Sequence, residues 1–215
     1  MNTIGQVAIY NQALAAVGIS KFVQLMSEGS PQANVCNLFW QSCQDQILED
    51  ASPAFATRYT QLAKSTKLVY GWKNVFAYPA DCLILKGLVD QPVANSTPTT
   101  EPLYYQYKYL YNLQVPYGVS EDEVNGGLAI GTDADFPIAQ YTARVTNLAL
   151  WPASIINALV LLLATKIVAP LAANPKYAET AGRAYEFALN KAIANGYNEA
   201  TTVPDLDSEF VTIRG

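Results

Sequence analysis

The chain of 215 residues contains no histidine. That absence removes the commonest general base, the commonest zinc ligand and both the Ser-His and Cys-His pairs of nucleophilic catalysis. Glu, Asp or Lys would have to carry any acid–base chemistry. Cysteine is scarce too, and Cys36, Cys43 and Cys82 do not make a disulfide framework. On one helix Cys36 and Cys43 would sit two turns, roughly 10 Å, apart, too far to bridge. They are expected as buried, reduced thiols of a cytosolic product. Positive charge is thin: thirteen Lys and Arg, scattered singly, face eighteen Asp and Glu, for a net −5. No basic cluster marks a surface that grips nucleic acid from outside; an acidic wall would repel it. The opening residues, Met1 to Gly18, lack the basic start of a secretory signal, and Asn11 and Gln12 interrupt their apolar residues. The glycosylation-like triplet Asn95-Ser96-Thr97 is therefore expected to stay unmodified.

What is present is apolar: 51% of residues are hydrophobic and only 14% charged, which suits a packed core. Helical spacing predicts a first helix from Thr3 to Val17, with Ile4, Val7, Ala8, Leu14 and Ala15 on one face and Gly18 as its stop. Ser30-Pro31 reads as an N-cap and first-turn proline. The stripe Cys36, Trp40, Cys43, Ile47 then predicts a helix to about Asp50, and a short third helix is expected over about Pro53 to Ala63. From Lys67 to Thr146 the pattern changes to short alternations. Strands are expected at Lys67–Trp72 and Val75–Tyr78, turning near Trp72–Asn74, then at Cys82–Val89, Leu128–Ile130 and Ile138–Thr146. Asn125-Gly126 is a hairpin signal, and Gln91 to Pro102 a polar loop. Helix returns at Trp151-Pro152 and again after Asn174-Pro175, where Tyr177, Ala181, Ala184, Ala188 and Ala192 share a face.

The order helices, strands, helices predicts an α+β protein: a helical bundle built from both ends of the chain, with a β-rich insertion, an antiparallel sheet or small barrel, between them. The expected divisions are 1–66 and 147–197 for the bundle helices, 67–146 for the insertion and 198–215 for an acidic tail. The apolar run Ile155 to Ala173 approaches membrane-spanning length. Lys166 within it would cost about 2.5–3.5 kcal/mol at a bilayer centre, so a central bundle helix is expected instead.

No catalytic, cofactor-binding or metal-binding residue is identified. Lys64-Ser65-Thr66 lacks the glycines of a phosphate loop, and Gly126 to Gly131 is followed by Thr132 where lysine is required. Asp133-Ala134-Asp135 resembles the opening of a calcium loop but lacks its glycine and closing glutamate. It is expected to be an exposed acidic turn, and Glu121-Asp122-Glu123 a solvated loop. These five, Glu121, Asp122, Glu123, Asp133 and Asp135, are candidates for an acidic channel surface. Tyr105, Tyr107, Tyr109 and Tyr111 alternate on one strand face. Two readings stay open for them: packing on neighbouring strands, or a contact surface for another subunit.

Pro79-Ala80-Asp81-Cys82 could be a thiol beside an acid, or a joint between two pieces of a fold. Pro79 fixes its own φ and extends Tyr78. Asp81 is expected to accept backbone N–H groups in a tight connection, and Cys82 to open an apolar strand as a buried, protonated thiol. Pro79, Asp81 and Cys82 are thus a structural junction.

Several motifs in order carry a family resemblance. They are Asn11, Ala13, Leu14, Val17 and Gly18; then Gly71, Trp72, Tyr78, Pro79, Asp81 and Cys82; then Tyr141, Arg144 and Val145 leading to Trp151. Over roughly residues 1–195 the chain resembles the tail tubular protein A family, the head-to-tail adaptors of short-tailed, double-stranded DNA phages. Pro53-Ala54-Phe55-Ala56 departs from that family's Trp-x-Phe-Ala. The resemblance implies a non-enzymatic virion protein, made in the host cytoplasm. It implies a ring, typically of twelve copies, between the portal protein and the tail nozzle protein, with tail fibres as a further contact. DNA would pass through its lumen without specific binding, and no membrane partner is implied. Alternatives from other classes are another head-completion or connector protein, a small carboxylate-dependent hydrolase, or a membrane-associated protein.

Overall fold

Ser30 and Pro31 start the longest helix of the first half as their chemistry dictates. The Ser30 hydroxyl accepts a hydrogen bond from Ala33 N (3.2 Å), and the proline takes the first helical position, where no N–H is needed. The computed structural model describes residues 5–65, 71–90, 114–121, 127–171 and 175–199. It is α+β, with helices α1 (Gln6–Ala16), α2 (Pro31–Ala51), α3 (Ala153–Leu171) and α4 (Pro175–Glu199). Among the described residues six strands make two small antiparallel sheets: β1 (Thr57–Gln61), β2 (Asn74–Ala77), β3 (Cys82–Asp90), β4 (Tyr117–Glu121), β5 (Leu128–Thr132) and β6 (Pro137–Ala143). One sheet has the order β1-β6-β3 and the other β2-β5-β4.

The helices share one apolar core. Ile9, Ala13 and Leu14 of α1, Cys36, Cys43 and Ile47 of α2, Leu159 and Leu163 of α3, and Ala188 and Ala192 of α4 are all buried in it. α3 has the composition of a membrane span, with mean hydropathy 2.0 over 19 residues. Ten of its side chains are nevertheless buried inside the protein, and α1, α2 and α4 all pack on it. Lys166, the charge in the run, points to solvent. The alanines of α4 let that helix lie close to α3. Gly18 ends α1 with φ 79°, and the Tyr177 ring of α4 lies where a Gly18 side chain would stand.

A second, smaller core lies between the sheets: Leu62, Phe76, Leu88, Ile130, Ala139, Tyr141 and Ala143. The period of 2 puts Tyr141, Ala139 and Ala143 of β6 on this side. Thr142, on the other face, bonds the Ser52 hydroxyl at 2.9 Å and joins the sheet to the end of α2.

Several expectations are corrected. The third helix over Pro53 to Ala63 does not form: one 3-10 turn, Ala54–Ala56, leads straight into β1, which pairs with β6 in the register Thr57↔Thr142 to Gln61↔Ile138. Thr57, Tyr59 and Thr60 favour an extended chain, and β6 offers a ladder that no local helix matches. On α1, Ala8 and Ala15 face solvent, while Ile9 and Tyr10 are buried. The phenol bonds Asn37 (2.8 Å) and its ring meets Trp40 edge-on at 5.3 Å, so an aromatic contact sets the inward face. Lys64 bridges to Phe76 of β2, and Gly71 lies in a turn; residues 67–70 of the expected strand Lys67–Trp72 lie outside the described residues. β4 was not expected at all. It joins β5 in a hairpin, Glu121 opposite Leu128, whose connecting Asn125-Gly126 lies outside the described residues.

Candidate interaction surfaces

The junction segment is a knot of polar contacts. The chain turns tightly at Pro79, whose carbonyl accepts from Cys82 N (3.0 Å). Asp81 does not cap backbone N–H groups with its side chain. Its carboxylate receives the Arg58 guanidinium from β1 and the Tyr141 hydroxyl from β6 (3.0 Å), while its main-chain carbonyl accepts from Arg144 N at 2.7 Å. One residue therefore ties the start of β3 to both other strands of its sheet. The Cys82 thiol donates to the Tyr78 hydroxyl at 3.2 Å. Burial is the main reason its pKa is raised, and the adjacent Asp81 charge adds to it, so Cys82 stays a neutral thiol at pH 7. Burial likewise pushes Cys36 and Cys43 up to about 11.

Arg144, next along the chain, crosses to the helices. Its Nε and Nη2 meet Asp45 Oδ1 and Oδ2 of α2 at 2.8 and 2.9 Å, a bidentate pair. Asp45 holds the Arg144 pKa above its usual value. Beyond it the Trp151 indole, buried, donates to Val145 O (3.2 Å) and its ring lies 5.9 Å from Phe55. The junction, the β6 exit and α2 thus form one continuous set of contacts.

Trp72 has a different task. Its indole lies against Gly118 of β4 and Gly131 of β5, paired residues in the sheet. A side chain at either glycine would collide with the ring, at 2.8 Å for Gly118. The paired glycines Gly118 and Gly131 are the sequence signal for what Trp72 covers.

The candidate acidic residues are less free than their sequence suggests. Asp133 accepts Lys73 N (3.0 Å), and Asp135 takes the Lys73 ammonium at 2.8 Å and Asn74 Nδ2 at 3.0 Å. The hydrogen bond and charge of Lys73 hold the Asp135 pKa below the usual range. Its negative charge is therefore largely matched. Glu121 is exposed at the end of β4, in a strand rather than a loop. Asp122, Glu123 and the four tyrosines Tyr105, Tyr107, Tyr109 and Tyr111 lie outside the described residues. Among the described residues no group of three or more His, Cys, Asp or Glu could hold a metal ion.

An unforeseen surface is the loop from α1 to α2. Asn11 clamps Val23 through both its backbone groups (2.8 and 2.9 Å), Glu28 accepts from Gln24 N and Leu25 N, and Asn37 holds Met26 O at 2.8 Å. Held in this way, the loop still displays Phe22, Leu25 and Met26 to solvent. Across the molecule, a shallow depression with room for about one water sits where Pro53 and Phe55 meet Pro152, Ala192 and Gly196.

No protein-family model matches this chain, and no curated protein matches it.

Proposed function

We propose that this chain is a structural subunit of a phage head-to-tail adaptor: a ring between portal and tail nozzle through which double-stranded DNA passes. In this reading the helices from the two ends of the chain form one bundle, the sheets are an insertion in it, and the protein performs no catalysis. The observation that carries the reading is convergence. The residues behind the family resemblance come from three separated segments that meet in the fold: Asp81 bonds Tyr141 and Arg144, and Ala13, Leu14 and Val17 share the helical core with Val145 and Trp151.

A rigid apolar loop at Phe22, Leu25 and Met26 adds support, because a subunit of a ring must present preformed contact surfaces. Twelve copies at −5 would carry roughly −60, and a lumen of that sign repels the DNA backbone and keeps it from sticking during transit. The pairing of Asp135 with Lys73 removes it from the front rank of lumen candidates. The test is sedimentation of the purified chain with a portal ring from a short-tailed phage. Co-migration as one large species is the expected result; independent migration at micromolar concentration would count against the reading.

A further inference from the structure

Along α4 four long side chains recur at intervals of four: Glu179, Arg183, Phe187 and Lys191. That spacing makes them one ridge of the helix surface, inclined to its axis. The ridge lies away from Ala181, Ala188 and Ala192, which are buried in the helical core. All four of its side chains are exposed. Phe187 is 74% exposed, more than any other large apolar side chain among the described residues. Arg183 bonds Glu179 at 2.5 Å, with both side chains mostly in water. The fold thus leaves an aromatic ring in solvent, with a cation one turn to either side and an acid at one end of the row.

The row is complementary to itself when reversed. A second α4 laid antiparallel, with the two-fold axis level with Tyr185, sets Glu179 beside Lys191 of the second copy and Arg183 beside its Phe187. Symmetry repeats both pairs. The first is an ion pair. The second is a cation–π contact, which Arg183 can make while keeping its bond to Glu179. In the same register exposed Thr180 meets Asn190, Lys176 meets Ala194 and Glu186 falls opposite Ala184, so no like charges are opposed. Registers centred on Arg183 or on Phe187 lack this property: one sets Arg183 against itself, the other sets it against Lys191. Ridges of spacing four interdigitate at a crossing of about −50°, the commonest class of helix packing.

We propose that the outward face of α4 binds a second copy of this chain as an antiparallel, two-fold helix pair, with Glu179 on Lys191 and Arg183 on Phe187 across the axis. Charge complementarity selects the copy and the register, and burial of the two Phe187 rings supplies the apolar gain. A two-fold contact closes on two molecules, so the inference is independent of the virion role and stands or falls apart from it.

Carbodiimide coupling with peptide mapping, beside sedimentation equilibrium, tests it. One helix face is a small interface of the weak class, so the full chain is measured up to about 0.5 mM. Within one helix Glu179 and Lys191 stand about 18 Å apart, beyond the reach of a direct amide, so an amide between them forms only across two copies. The expected result is a reversible monomer–dimer equilibrium, with that amide in the cross-linked dimer. Glu179→Lys and Lys191→Glu each set two pairs of like charges face to face and should each weaken dimerisation at least about fivefold. The two combined restore the ion pairs in reversed order and should recover it. Phe187→Ala should weaken it as the single reversals do. These side chains are exposed, so helical circular dichroism should be unchanged. A chain that stays monomeric at the highest concentration, a dimer without the amide, or a double reversal that binds no better than either single one would overturn the proposal.

Discussion

Leu163 of α3 and Leu88 of β3 are both fully buried, yet different kinds of neighbour bury them. Leu163 belongs to a large core supplied by four helices, in which nearly every contact is apolar. Leu88 belongs to a core of seven buried residues among those described, Tyr141 included, stitched at its edges by Asp81, Arg58 and the Trp72 ring. The helical side gets its stability from area removed from water, which is non-directional and tolerant of small shifts. Among the described residues the sheet side buries a smaller apolar core and adds specific geometry to it: a carboxylate with two donors, an indole on two glycines.

That contrast can be broken most strongly from the helical side. Leu163→Ala should cost about 2–5 kcal/mol, the range for a large-to-small change in a packed core, read from urea unfolding. Next, Gly131→Ala should destabilise by about 1–3 kcal/mol, because its methyl group needs the space of the Trp72 ring. A shift in tryptophan fluorescence should accompany it. The matching change on the helical side, Gly182→Ala in α4, meets no neighbour and should stabilise by about 0.5–1 kcal/mol. The opposite signs of two identical substitutions would sharpen the comparison.

A double-mutant cycle on Asp45 and Arg144, the pair that links the two regions, should give a coupling of about 0.5–1 kcal/mol. Side-chain exposures of 19% and 43% keep it small despite bidentate geometry. Alkaline titration should give the smallest effect near neutrality. Cys36 and Cys43 have folded pKa values of about 11 against an ordinary 9.0. Between those values the folded state binds more protons than the unfolded one, so stability falls as pH rises. The thermal midpoint should be insensitive to these thiols up to about pH 8 and decline from about pH 9.

Legibility followed the same divide. α2 was readable because its cap, its first-turn proline and its 3.6-residue stripe are all local. α1 was readable in extent, but its inward face was not, since Tyr10 is turned in by Asn37 and Trp40 on another helix. β1 and β4 were missed for one reason. Thr57–Gln61 becomes a strand because β6, eighty residues later, is there to pair with it. Tyr117–Glu121, with Gly118 and Ser120, has weak strand propensity and depends on β5 and on Trp72. Asp81 stands out in the sequence through its neighbours Pro79 and Cys82, yet its partners Arg58 and Tyr141 are remote in sequence and no local rule points to them. The neutralisation of Asp135 by Lys73 is hidden for the same reason.

Electron microscopy of the purified full-length chain, alone and mixed with a portal ring, tests the proposed role most directly. The account predicts closed rings with a central channel, seated coaxially on the portal. Particles of single-chain size in both samples, with the portal left bare, would contradict it.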